Sequence, residues 1–67
     1  MTIENVKKNL NKPVIFKNPK LNLECSYILT ACIIRRGKQG FFYQAELQDI
    51  KQNNSVMRCG LEEIKAI

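Results

Sequence analysis

The stretch "CSYILTACIIRRGKQGFFYQAELQ", residues 25–48, decides the fold. In its first half Tyr27, Leu29, Ala31 and Ile33 alternate with Ile28, Thr30, Cys32 and Ile34, the two-residue period of a β-strand. Both sets are substantially apolar, which predicts a long strand buried on one side and partly covered on the other, for instance by an N-terminal helix. The second half alternates more cleanly. Phe41, Tyr43, Ala45 and Leu47 are expected to face a core, while Phe42, Gln44, Glu46 and Gln48 face water. Between them "RRGKQG" has the length and the glycines of a hairpin loop, so the two strands are read as an antiparallel pair.

Working outward from that pair, Thr2 is a plausible N-cap and Glu4 suits the positive end of a helix dipole. Ile3, Val6 and Leu10 recur at helical spacing, predicting a short helix from Ile3 to Leu10. Asn11 can adopt the left-handed position that ends a helix, and Pro13 forbids its continuation. "PVIF" reads as a first strand because it is β-branched and aromatic, and "KNPKLN" reads as a loop. On the other side, "KQNNS" predicts a turn whose asparagines accept left-handed backbone, and "SVMRC" a further strand. "LEEI" places Leu61 and Ile64 three residues apart, as one helical turn does, ahead of a last short strand at Lys65-Ala66-Ile67. The expected core is Val14, Phe16, Leu29, Ala31, Ile33, Phe41, Tyr43, Ala45, Leu47, Val56 and Ile64, joined by Cys32.

The length of 67 residues allows one domain that buries about 60% of the surface its unfolded chain exposes. Such a core supplies about 3–5 kcal/mol of net stability, so most apolar residues are committed to folding and a large catalytic cleft is not expected. With 45% hydrophobic and 25% charged residues but only three glycines and two prolines, the chain has the profile of a folded domain rather than a disordered one. The longest apolar runs have four residues, as in Ala31-Cys32-Ile33-Ile34, too short to cross a bilayer or to form a signal-peptide core. A cytoplasmic protein without membrane partners is the expectation.

Cys25, Cys32 and Cys59 include no CxxC pair, and histidine is absent, so the usual zinc sets cannot be assembled. The odd count favours reduced thiols over a disulfide framework. A reactive thiolate needs a neighbouring cation or a helix N-terminus, and only Arg58 beside Cys59 hints at one. No serine or cysteine comes with a recognisable base, Glu62 and Glu63 point in different directions on their turn, and Gly37 and Gly40 bound a hairpin instead of leading into a helix. The inventory predicts a non-enzymatic chain with no cofactor, no metal and no small-molecule substrate.

The inferred order resembles the small five-stranded barrels of the Src-homology, Tudor and KOW type. The resemblance covers residues 13–67: the strand "PVIF", an open loop, the meander "SYILTACIIRR", "FFYQAELQDI" and "SVMRC", the turn "LEEI" and a closing strand. It implies a mainly β chain, a small five-stranded antiparallel barrel at 13–67 with one short N-terminal α-helix at 1–12, forming a single domain. Tryptophan and the acidic "ALYDY"-type loop of polyproline binders are missing, and too few rings remain outside the core for a methyl-lysine cage. The phrase "YILTACIIRRGKQGFFYQAELQD" also resembles short uncharacterised proteins carried by mobile genetic elements of Gram-positive bacteria.

Charge ranks what is left. Residues 1–40 hold eight Lys or Arg against two Glu, whereas residues 41–67 hold three against four acidic residues. A one-signed field attracts polyanions and acidic partners. Two binding classes follow. A nucleic-acid module would use Arg35, Arg36 and Lys38 on phosphates and the outward Phe42 as a stacking surface. A protein-interaction module would use an apolar patch of Phe42 with Ile34 or Ile28, or an edge strand. The bland counterparts are a solvated hairpin tip for the three cations and packing under the helix for Phe42.

Overall fold

The computed structural model describes residues 1–18, 20, 23–52 and 55–67. The loop expected at Pro19, Leu21 and Asn22 and the left-handed turn expected at Asn53 and Asn54 lie outside the described residues. In chain order the elements are α1 (Ile3–Asn9), β1 (Pro13–Asn18), β2 (Leu23–Gly37), β3 (Gly40–Asp49), β4 (Ser55–Gly60), one 3-10 turn (Leu61–Glu63) and β5 (Ile64–Ala66). The five strands make one antiparallel sheet in the order β4-β3-β2-β1-β5. β4 and β5 are its two edges, and the sheet is open.

β2 organises the molecule. Its 15 residues would span roughly 46 Å if straight, at about 3.3 Å per step. The longest dimension of the fold is 35 Å, so β2 must bend. The bend has a residue behind it. Leu29 pairs with Leu47 and Ala31 with Glu46, leaving Thr30 as the extra residue of a β-bulge. The Thr30 hydroxyl lies 3.1 Å from the Glu46 carbonyl and 2.9 Å from Glu46 Oε2, donating its proton to this pair of acceptors.

The bulge reverses which residues face the core. Before it Tyr27 and Leu29 point inward; after it Cys32 lies opposite Ala45, Ile34 opposite Tyr43 and Arg36 opposite Phe41. Residues paired across an antiparallel ladder share a face. Ala31 and Ile33, expected inside, therefore stand on the outer face opposite Glu46 and Gln44, half-buried.

α1 forms as its sequence predicts. The Thr2 hydroxyl accepts from the Asn5 backbone N–H at 3.2 Å, Glu4 occupies the first turn, and Lys7 and Lys8 the last. Asn11 takes φ 64°, ending the helix before Pro13. The connection is tied to the sheet: the Asn11 N–H donates to the Leu29 carbonyl at 2.6 Å, and the Leu29 N–H to the Lys12 carbonyl at 3.0 Å. Val6 is thereby carried into the inner cluster. The helix therefore covers the core side of the sheet and not its outer face, a correction to the sequence expectation.

The core comprises Val6, Val14, Leu29, Ala45, Leu47, Cys59 and Ile64, with Met1, Phe16, Tyr27, Cys32, Met57 and Leu61 packed around it. It draws on both edge strands, so the sheet coils around a single cluster. Phe16 and Tyr27 meet edge to face, centroids 6.0 Å apart. Besides Ala31 and Ile33, three expected members are absent. Val56 is 54% exposed because the β4 register turns Met57 and Cys59 inward, and Phe41 and Tyr43 are 72% and 41% exposed because the hairpin runs past the core. Among the described residues no helix is long and apolar enough to cross a membrane.

Candidate nucleic-acid interface

The far end of the β2–β3 hairpin is a two-stranded arm. β1 pairs with β2 only as far as Ile28, and β4 pairs with β3 only from Gln44 onward. From Ile33 to Gly37 and from Gly40 to Tyr43 the two strands have only each other. The turn itself is just Lys38-Gln39, between the paired glycines Gly37 and Gly40. Gly40 has φ +114°, a conformation that side chains disfavour, so glycine is needed there for so tight a reversal. Arg35 and Arg36, read from sequence as part of the loop, are strand residues.

That placement divides the predicted site. Arg35 stands opposite Phe42 on the outer face, and its Nε donates to Gln44 Oε1 at 2.5 Å. Arg36 stands opposite Phe41 on the other face, with Lys38 at the tip. Phe42 is 45% exposed and is not under α1: its ring lies against Gly37, where an added Cβ would come within 3.2 Å of Cε1. A shallow depression of about 450 Å3 at the tip is bounded by Lys38, Phe41 and Phe42.

The arm is electrostatically one-sided. Residues 31–43 contain Arg35, Arg36 and Lys38 and no carboxylate. Among the described residues Arg36 and Lys38 have no hydrogen-bond or ion-pair partner, whereas Lys17 and Lys65 are drawn to Glu24 at 3.9 and 3.6 Å. Sequence reasoning missed Phe41 and Tyr43 as surface groups. The usable signal was the strand lengths: β2 and β3, with 15 and 10 residues, outrun the six-residue β1 and β4.

A second concavity of about 520 Å3 lies between residues 24–28 of β2 and Gln48–Gln52, where β3 has turned away. Tyr27 lines it, and burial, followed by the proximity of Cys25 and Asp49, raises its phenol above the ordinary range. Cys25 is exposed there, while Cys59 is buried on β4. Burial first, then Glu63 and Glu62, pushes the Cys59 thiol up to about 11. Arg58, on the opposite face beside Glu46, does not activate it. Among the described residues no three His, Cys, Asp or Glu side chains are grouped to hold a metal ion. No protein-family model, curated protein or solved structure matches this chain.

Proposed function

We propose that this is a non-enzymatic binding module that holds nucleic acid with the arm at the end of its β2–β3 hairpin. The observation that carries the reading is the arm itself: three cations, two of them without partners, project beyond the core on a segment free of carboxylates. Phosphates are the natural complement of such a segment, since each one neutralised releases condensed counterions. Arg35, Arg36 and Lys38 contact phosphates, and Phe42 beside Arg35 offers part of its ring to a base. The strand order and the 3-10 turn before β5 support grouping the fold with the Src-homology, Tudor and KOW barrels.

Titrating labelled DNA and RNA over a range of salt tests the reading. Log affinity should fall with log salt at a slope of roughly −2 to −3 for three phosphate contacts. Arg35→Glu with Arg36→Glu should remove most of that slope and leave the melting temperature in place, because exposed charges add little to folding. Absence of binding at about 50 mM salt, where non-specific attachment is favoured, transfers the arm to a protein partner.

A further inference from the structure

We infer that the arm takes single-stranded nucleic acid, with unpaired bases stacked on Phe41 and Tyr43; the inference rests on the nucleic-acid reading above and names its substrate class. Past the bulge, Ile34 and Arg36 of β2 lie opposite Tyr43 and Phe41 of β3, so these four side chains tile one face. Phe41 is 72% exposed, Ile34 62% and Tyr43 41%, where the same face further down the hairpin is the buried core. Two rings two positions apart on a strand stand roughly 7 Å from each other, room for one base on each. Arg36 beside Phe41 and Lys38 at the turn put cations along the same run, where a backbone threading those bases carries its phosphates.

The chemistry separates single strands from duplexes. In a duplex the faces of the bases are covered by their neighbours, and an aromatic ring reaches one only by prising a step open, at a few kcal/mol per step. An unpaired base presents its face at no such cost, and stacking accepts any base because every base has a π surface. Three cations are also few for a duplex site but enough for a short single strand whose affinity comes largely from stacking. The absence of carboxylates from residues 31–43 makes the face complementary to a polyanion and sets two copies of it against each other.

The test uses fluorescein-labelled oligo(dT) and oligo(U) of about 12 nucleotides, within the range such sites cover, against a duplex of the same length. Anisotropy at about 50 mM salt should show tighter binding of the single strands; comparing the two sugars identifies DNA or RNA. Phe41→Ala and Tyr43→Ala should each weaken single-strand binding about 5- to 100-fold at every salt concentration, because stacking releases no counterions. Phe41→Trp should retain affinity, and because the chain has no tryptophan its emission reports stacking directly, as quenching on addition of oligonucleotide. Equal or tighter binding of duplex, or indifference to Phe41→Ala and Tyr43→Ala while Arg35→Glu and Arg36→Glu still reduce binding, overturns the inference and leaves the basic arm standing. Failure of every nucleic acid to bind overturns both. A dimer in sedimentation that Phe41→Ala disperses, with single-strand affinity unaltered, assigns the face to a second copy and overturns the inference.

Discussion

Leu47 and Phe41 stand on the same strand and point to the same side of the sheet, yet Leu47 is fully buried and Phe41 is the most exposed aromatic described. Between them the alternation never breaks; Tyr43 and Ala45 continue it. What changes is what lies above. Over Leu47 the helix residue Val6, Val14 of β1, Cys59 of β4 and Ile64 of β5 converge. Over Phe41 none of these elements reaches, because β4 stops pairing at Gln44 and β1 at Ile28. The comparison shows that period-two patterning decides to which side a residue points, whereas burial depends on whether another element arrives on that side. An apolar side chain in the first setting contributes to stability, and in the second it is available for binding.

Truncating side chains in the core and in the arm tests the difference between them. Leu47→Ala removes a fully buried side chain and should cost about 2–5 kcal/mol in chemical denaturation, enough to unfold most of so small a domain. A cost below 1 kcal/mol at Leu47 would mean the core is not where the register puts it. Thr30→Ala should come next. It leaves the two Glu46 acceptors, partly buried, without their donor and loosens the bulge that turns the strand, at about 1–3 kcal/mol by the same measurement. An unchanged midpoint would show that the bend does not depend on the hydroxyl.

Cysteine chemistry sharpens the contrast at alkaline pH. The folded state keeps the Cys59 proton up to about pH 11, while an exposed thiol loses it near 9.0. Between those values the unfolded chain binds fewer protons, so stability falls as pH rises. The contribution is fully present below pH 9 and is lost as pH passes through 11. Cys59→Ala should reduce that alkaline decline without abolishing it, since Tyr27 is raised as well. Iodoacetamide at pH 8 should modify exposed Cys25 rapidly and Cys59 only on unfolding, which peptide mass mapping reads directly. Equal rates at the two positions would place Cys59 outside the core. The smallest effect is expected at Phe41→Ala, within about 0.5 kcal/mol of wild type; a cost comparable with that of Leu47→Ala would erase the distinction between arm and core.

Much of the fold was legible in the residues. Thr2, Asn11 and Pro13 bracket α1 through hydrogen bonding and backbone geometry that act within a few residues, so the helix is found within one residue of where they place it. Gly37 and Gly40 likewise mark the hairpin locally. The three cations and the ring of the candidate site were legible as residue types, but their division between two faces was not. That division depends on Arg35 and Arg36 being neighbours on a strand instead of in a loop, and on a turn of only two residues. Ala31 and Ile33 were misplaced for a related reason: a bulge inserts one residue, and nothing in "LTAC" distinguishes Thr30 as that residue before its hydroxyl meets Glu46.

The order and kind of the elements, the antiparallel pairing of the two long segments and the basic character of their junction are written in the residues. All of these follow from periodicity, turn chemistry and charge, which operate over short stretches of chain. Where the core stops along the hairpin, which face each residue shows beyond Thr30, and the exposure of Phe41 and Tyr43 were set by the assembled fold. These depend on contacts between residues distant in the chain. A strand pattern that continues unchanged past the last covering element carries no local mark of where the cover ends.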